Sequence, residues 1–400
     1  MFIVVLGFST VAQQQLNPGQ VIDSVYCTSD NSHSYSLYLP STYAADRAWP
    51  IVFIFDAGGR GKLAVEKFQA GAEQHGFILI GSNNFRNGPM DQAFEAANRL
   101  FEDAQSRYPI DGDRLYTAGL SGGARVATAI ATLVPDVDGV IACAAGEHSQ
   151  YPITDEHAFT FVSVVGHTDM NLYEVEVLHR RITNSQMNHV MINFDGGHGW
   201  ADDETLSTAL EWIKAYSEGS AIDMEFPNAQ PGQFDAETLT RHQQEGQWQN
   251  DLAYPLFRLE GQDAAGAVTE LTAQINSLIN IERTAKTNHE RLMANRLLGY
   301  IALYTVSNGG SRLGQQQFEQ AIPFYQVLAQ THPKNAHMWF FVAKLNAQAN
   351  QKAAALKAYN KALKQGFEGD PSLSKKEVYA WLQDEADLQA LLWKGLPAFF

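Results

Sequence analysis

Arg114-Leu115-Tyr116-Thr117-Ala118-Gly119-Leu120-Ser121-Gly122-Gly123-Ala124-Arg125-Val126-Ala127 is the stretch whose reading decides the fold. Its first part, Arg114 to Ala118, has the composition of a short buried strand, and Ala124 to Leu133 has the small and apolar spacing of a helix. Between them stands Gly119-Leu120-Ser121-Gly122-Gly123, a G-x-S-x-G pentapeptide at a strand-to-helix turn. In so sharp a turn the two backbones approach closely, and a Cβ two positions before or after the serine would collide with them. The helix that starts beside Ser121 aims backbone N–H groups at any negative charge developing there. Ser121 is therefore the candidate nucleophile.

Outward from this turn, residues 21 to 216 alternate β-branched and aromatic runs with longer stretches of helical period. That is the pattern of a mostly parallel sheet with helices on both faces. Strands are predicted at Val21–Cys27, Tyr35–Leu39, Ile51–Phe55, Phe77–Ile80, Arg114–Ala118, Gly139–Ala144, Thr160–Val165 and Val190–Phe194. Helices are predicted at Leu63–Gln74, Gln92–Arg107, Ala124–Leu133, Leu172–Asn184 and Glu204–Ser217.

A serine hydroxyl is a weak nucleophile at neutral pH and needs a base and an acid to orient that base, which in this kind of sheet follow in the order Ser, acid, His. His198 lies in the glycine-lined loop Asp195-Gly196-Gly197-His198-Gly199-Trp200 after the last predicted strand, whereas His189 opens that strand at the wrong end. Asp169, in Val165-Gly166-His167-Thr168-Asp169, follows the preceding strand at its carboxyl end, where parallel sheets assemble their sites. Asp195 and Asp202 are its rivals. Asp195 is very near His198 in sequence, and Ala201-Asp202-Asp203-Glu204 reads as a helix start. For the oxyanion the expected donors are the N–H of Gly122 and, from the loop Asp56-Ala57-Gly58-Gly59-Arg60-Gly61, that of Gly58. Arg60, Asn84, Arg86, His148 and Trp200 are candidates for the substrate side, each against a plainer reading as part of a solvated turn.

Phe55-Asp56-Ala57-Gly58-Gly59, Gly119 to Gly123, Gly166 to Asp169 and Gly197-His198-Gly199-Trp200 together resemble the α/β-hydrolase superfamily. The similarity is to the branch of serine esterases that includes dienelactone-hydrolase-like, polyhydroxybutyrate-depolymerase-like and feruloyl-esterase-like enzymes. The resemblance implies acyl transfer through an acyl-serine, with no metal and no organic cofactor. One departure is Asp56-Ala57, where that branch has His-Gly. The segment from Gly146 to Phe159 is short where many lipases carry a large lid, which favours a soluble or polymer-borne ester, such as an acylated carbohydrate or an aromatic ester.

Four hundred residues exceed what one core usually organises, and a second domain is expected. After a linker at residues 220–234, containing Asn228-Ala229-Gln230-Pro231-Gly232, residues 235–400 are rich in Ala, Gln and Leu with almost no strand signal. Ala321, Tyr325 and Leu328 recur 34 residues later as Ala355, Tyr359 and Ala362, which resembles the tetratricopeptide repeat and implies a surface on which a protein partner docks. Ser307-Asn308-Gly309-Gly310-Ser311 is expected to interrupt the first copy. A plain helical bundle bracing the first domain is the alternative.

A net charge of −16 repels a phosphate backbone, so nucleic acid is not an expected partner. The two cysteines, Cys27 and Cys143, do not make a disulfide framework. Residues 1–12, MFIVVLGFSTVA, read as the end of an export signal or as a first strand, and no window is long and apolar enough to predict a membrane helix. The expected function is ester hydrolysis, with a serine peptidase of the same fold and a non-catalytic binding protein as alternatives.

Overall fold

In a computed structural model, β-branched and aromatic runs of the first half pair into one sheet. The structure describes residues 17–183, 185, 187–219, 229–230, 236–370, 372–384 and 387–396, so the expected export segment and most of the expected linker lie outside the described residues. The elements in chain order are β1 (Val21–Tyr26), β2 (Ser34–Tyr38), β3 (Trp49–Asp56), α1 (Gly61–His75), β4 (Ile78–Ser82), α2 (Met90–Arg107) and β5 (Ile110–Leu120). There follow α3 (Gly122–Leu133), β6 (Gly139–Cys143), β7 (Thr160–Gly166), α4 (Leu172–Ile182), β8 (His189–Phe194), α5 (Asp203–Ser217) and β9 (Ala229–Gln230).

The strand order is β1-β2-β4-β3-β5-β6-β7-β8-β9. The β1–β2 and β2–β4 pairs are antiparallel, and β4, β3, β5, β6 and β7 run parallel. Every residue of β3, β6 and β7 is buried, as required of central strands covered on both faces. α1 packs on α5 and α2 on α3. The two-residue β9, which no sequence signal marks, pairs antiparallel with β8. Both cysteines are buried thiols.

The remainder is helical: α6 (Ala236–Arg258), α7 (Ala264–Thr284), α8 (Asn288–Gly314), α9 (Phe318–Thr331), α10 (Ala336–Gln348), α11 (Lys352–Lys364), α12 (Lys375–Gln383) and α13 (Leu388–Gly395). The expected interruption at Ser307–Ser311 does not occur, because α8 runs straight through it. Gly309 serves close packing instead: a Cβ there would lie 3.0 Å from Phe324 Cβ and 3.1 Å from the Tyr325 ring, so the missing side chain lets α9 approach. The recurring Ala321, Tyr325, Leu328, Ala355, Tyr359 and Ala362 all lie in one apolar core.

The chain divides into two compact units, which change over within the expected linker and also at two excursions earlier in the chain. The first takes in the described residues of Met1–Val164, Leu178–Ile192 and Trp200–Gly232. The second joins Val165–Val177 and Asn193–Gly199 to the described residues of Gln233–Phe400. The first excursion is held by side chains of α6 and α8 and the second by its bonds to the first, as described below.

Candidate active site

Ser121 occupies the first unit, between the end of β5 and the start of α3, with φ 58° and ψ −117°. A non-glycine residue held there costs on the order of 1–3 kcal/mol and persists only where its surroundings impose it. The imposing contacts are visible. Ser121 N–H donates to Cys143 O at 2.9 Å, a Cβ on Gly119 would stand 2.3 Å from the Gly123 backbone, and one on Gly123 would stand 1.9 Å from Phe55 O. Gly119 and Gly123 are thus required by backbone approach on both sides of the serine.

Asp169 and His198 lie in the second unit. Beyond the end of β7, Asp169 N–H turns back to Gly166 O at 3.0 Å, which leaves the carboxylate buried. Its Oδ1 accepts from Asn171 N–H at 2.8 Å and lies 3.0 Å from His198 Nδ1. A carboxylate oxygen accepts, so in this pair Nδ1 is the donor. The rivals stand elsewhere: Asp202 caps α5 by accepting from Thr205 N–H at 2.8 Å, and Asp195 is exposed. A Cβ on Gly166 would lie 2.4 Å from Gly196 O, so the loops bearing Asp169 and His198 touch backbone to backbone.

The loop after β3 departs from expectation. Asp56 is fully buried and accepts from Gly58 N–H at 2.9 Å, from Arg60 Nε at 2.8 Å and Nη2 at 3.0 Å, and from Trp200 Nε1 at 2.9 Å. The Gly58 N–H expected to face an oxyanion is therefore turned onto a carboxylate two residues back in the chain, where the aspartate supplies the nearest acceptor. Arg60, whose side chain stays exposed, and Trp200 are likewise held by the same carboxylate, and Trp200 also packs edge-on to Phe68. The amide of Asn84 accepts from Ser34 N–H at 2.8 Å and donates to Ser32 O at 2.9 Å, which fastens the loop before β2. Arg86 is exposed, its Nη1 donating to Asn83 O at 3.2 Å.

His148 follows β6, its ring 5.7 Å from Tyr151, which in turn meets Phe94 at 5.4 Å. Burial and the nearby Arg125 guanidinium lower its pKa below the usual imidazole value. Asn87 was not singled out by sequence, yet its Oδ1 lies where a Cβ on Gly122 would be, 1.8 Å away, and its N–H donates to Ala57 O at 3.1 Å. Asn87 belongs to the stretch Ser82–Gly88, which from its place after a strand could line a pocket or be a solvated turn, and nothing in it says which backbone it will touch. Among the described residues no group of three or more His, Cys, Asp or Glu could hold a metal ion. No helix among the described residues is long and apolar enough to cross a membrane.

A mostly parallel sheet of this order, with a strained serine between strand and helix and an aspartate and histidine following strands further along, is an α/β-hydrolase fold. Solved structures similar to this chain include an S-formylglutathione hydrolase from Staphylococcus aureus, at 12% identity and TM-score 0.38, covering 45% of this chain and 90% of that one. The feruloyl esterase module from Clostridium thermocellum is similar at 9% identity and TM-score 0.41, covering 52% and 92%. An S-formylglutathione hydrolase from Agrobacterium tumefaciens is similar at 16% identity and TM-score 0.39, covering 50% and 94%. No family model and no curated protein matches the sequence.

Proposed function

We propose that this chain is a serine hydrolase that cleaves carboxylic esters through an acyl-serine intermediate. The observation that carries the reading is Ser121 itself, a non-glycine residue kept at φ 58° between β5 and α3 by glycines that could be nothing larger. Ser121 Oγ attacks the acyl carbon, His198 Nε2 takes its proton and passes it to the departing alcohol, and Asp169 holds the imidazole by Nδ1. Water then attacks the acyl-serine by the same path and restores the hydroxyl. The N–H groups opening α3, Gly122 first, stabilise the oxyanion.

The connection from Cys143 to Thr160 is short and carries no helix, which supports an open site and a soluble or polymer-borne substrate such as an acylated carbohydrate or an aromatic ester. The ring cluster of Phe94, His148 and Tyr151 is the candidate wall for it. Export, expected from residues 1–12, belongs to the same proposal, and mature protein outside the cytoplasm with a trimmed N-terminus would support it.

The test is labelling with a fluorophosphonate together with hydrolysis of p-nitrophenyl esters from acetate to octanoate, methyl ferulate and a peptide anilide. Single-site labelling is expected, lost in Ser121→Ala, with ester turnover falling by about 10⁴-fold or more. A wild-type protein that neither labels nor cleaves esters overturns the reading, and anilide cleavage without ester preference replaces esterase by peptidase.

A further inference from the structure

Two charged clusters in the second unit grip the loops on either side of Asp169. Arg296, on α8, is 2% exposed and Glu245, on α6, is fully buried. Arg296 Nε donates to Glu245 Oε1 at 2.9 Å and Nη2 to Oε2 at 2.6 Å, which fixes the plane of the guanidinium. The remaining arm, Nη1, donates to the carbonyl of His167 at 3.0 Å, two residues before Asp169. His167 N–H in turn donates to Phe194 O at 3.0 Å, and the Thr168 N–H and hydroxyl both donate to Gly196 O, at 3.0 and 2.8 Å. Gly196 stands two residues before His198. A continuous string of bonds therefore runs from α6 and α8 to both sides of the Asp169–His198 contact.

The same helices hold the far side of the loop. Glu176 is clasped by Arg241 and His242 of α6, and burial alone would raise its pKa, but these bonds hold the carboxyl below its ordinary value. Gly299, one turn along α8 from Arg296, lies against Met170, where an added Cβ would come within 3.5 Å.

A fully buried ion pair adds little net stability over apolar residues of the same volume, because both charges lose their hydration. What Glu245 and Arg296 add is direction, since two arms are spent on the carboxylate and the third has one place to point. We propose that Arg296, oriented by Glu245, is a positioning residue for the Asp169–His198 pair. The helical region then holds the loops that carry Asp169 and His198. This rests on the triad of the proposed function, in which the imidazole gains a proton while its Nδ1–H must stay aligned with Asp169 Oδ1. Misplacement by about 1 Å typically costs on the order of 10²-fold in rate.

Two variants of the full-length protein test it. Arg296→Lys keeps a charge beside Glu245 but replaces the rigid fork by a single head. The double variant Glu245→Leu with Arg296→Met removes both charges and leaves none unpaired, so its melting temperature is expected to stay within a few degrees of the parent's. In both, kcat for p-nitrophenyl acetate per fluorophosphonate-titratable site is expected to fall roughly 10- to 100-fold with KM changed less than about 2-fold. The far-downfield proton resonance of the His198 Nδ1–H bonded to Asp169 is expected to shift or broaden. A folded double variant with the parent's kcat and an unaltered resonance overturns the proposal, as does a Lys variant whose only change is a lower melting temperature. Should the wild type cleave no ester, the functional reading fails by itself: the resonance reads the Asp169–His198 bond without substrate, and its loss in Arg296→Lys still supports positioning.

Discussion

Ser121 is held by close backbone contacts, whereas the loop of Asp169, to which that of His198 is bonded, is held by side chains that arrive from far along the chain. Around Ser121 the contacts are backbone against backbone, from Gly119, Gly123, Cys143 and Phe55, and most of them are dictated by the pentapeptide. Around Asp169 the decisive partner, Arg296, is 129 residues from the carbonyl it binds. One region is thus fixed by backbone sterics and the other by buried charge. The two should respond differently to mutation and to pH.

The steric half is broken most severely at Gly123. Alanine there would place Cβ 1.9 Å from Phe55 O, a backbone atom that can move only with β3, so Gly123→Ala is expected to cost more than about 3 kcal/mol and abolish fluorophosphonate labelling. Gly122→Ala is the contrast. Its Cβ would meet Asn87 Oδ1, the free end of a side chain that can swing aside, so the expected cost is about 1 kcal/mol with slower labelling. Equal melting temperatures for the two variants would show that the turn is more yielding than its backbone contacts imply.

Asp56 stands between the two cases, with a local half and a distant one. Gly58 and Arg60 lie within four residues of it, while Trp200 comes from 144 residues away. Asp56→Asn leaves donors facing an amide that can accept fewer of them, and about 2–4 kcal/mol of stability should be lost in denaturant unfolding. Trp200→Phe removes one bond and keeps most of the ring packing on Phe68, so about 1–2 kcal/mol is expected. A Trp200→Phe variant as unstable as Asp56→Asn would mean that the distant bond alone sets the loop.

The same division explains what the sequence disclosed. All eight long strands and the five helices of the α/β part are legible within a few residues, because period and burial go together in a sheet covered on both faces. The capping role of Asp202 and the pairing of Asp169 with His198 are consistent with spacing and with the ends of strands. What stays hidden depends on a partner that local pattern cannot name. Asp56 reads as a departure from a motif, with no sign that it would capture Gly58 N–H and Trp200. Ser307–Ser311 reads as a break until Phe324 and Tyr325 are seen to fill the space Gly309 leaves. Arg296 is one of many helical arginines until Glu245 fixes its plane.

The gentlest test separates the units by pH. In the first unit, His179 is fully buried between Ser163 Oγ, 2.5 Å from its Nε2, and His189 Nδ1, 2.9 Å from its Nδ1. Burial, with a smaller contribution from His189, pushes its pKa down to about 3 from an ordinary 6.5. In the unfolded chain the ring takes a proton below about pH 6.5 and in the folded chain only near 3, so the unfolded state binds more protons in that window and stability falls on acidification. Between pH 7 and 5.5 the loss is about 1 kcal/mol. In the second unit the depressed carboxyl of Glu176 acts in the same direction, but only as pH drops below its ordinary 4.5. Denaturant unfolding followed at pH 7, 6 and 5 should therefore show a decline that His179→Gln, which cannot titrate, reduces, while Glu176→Gln leaves its slope unchanged. A slope in that range carried by Glu176 instead would reverse the assignment of the early acid loss to the sheet.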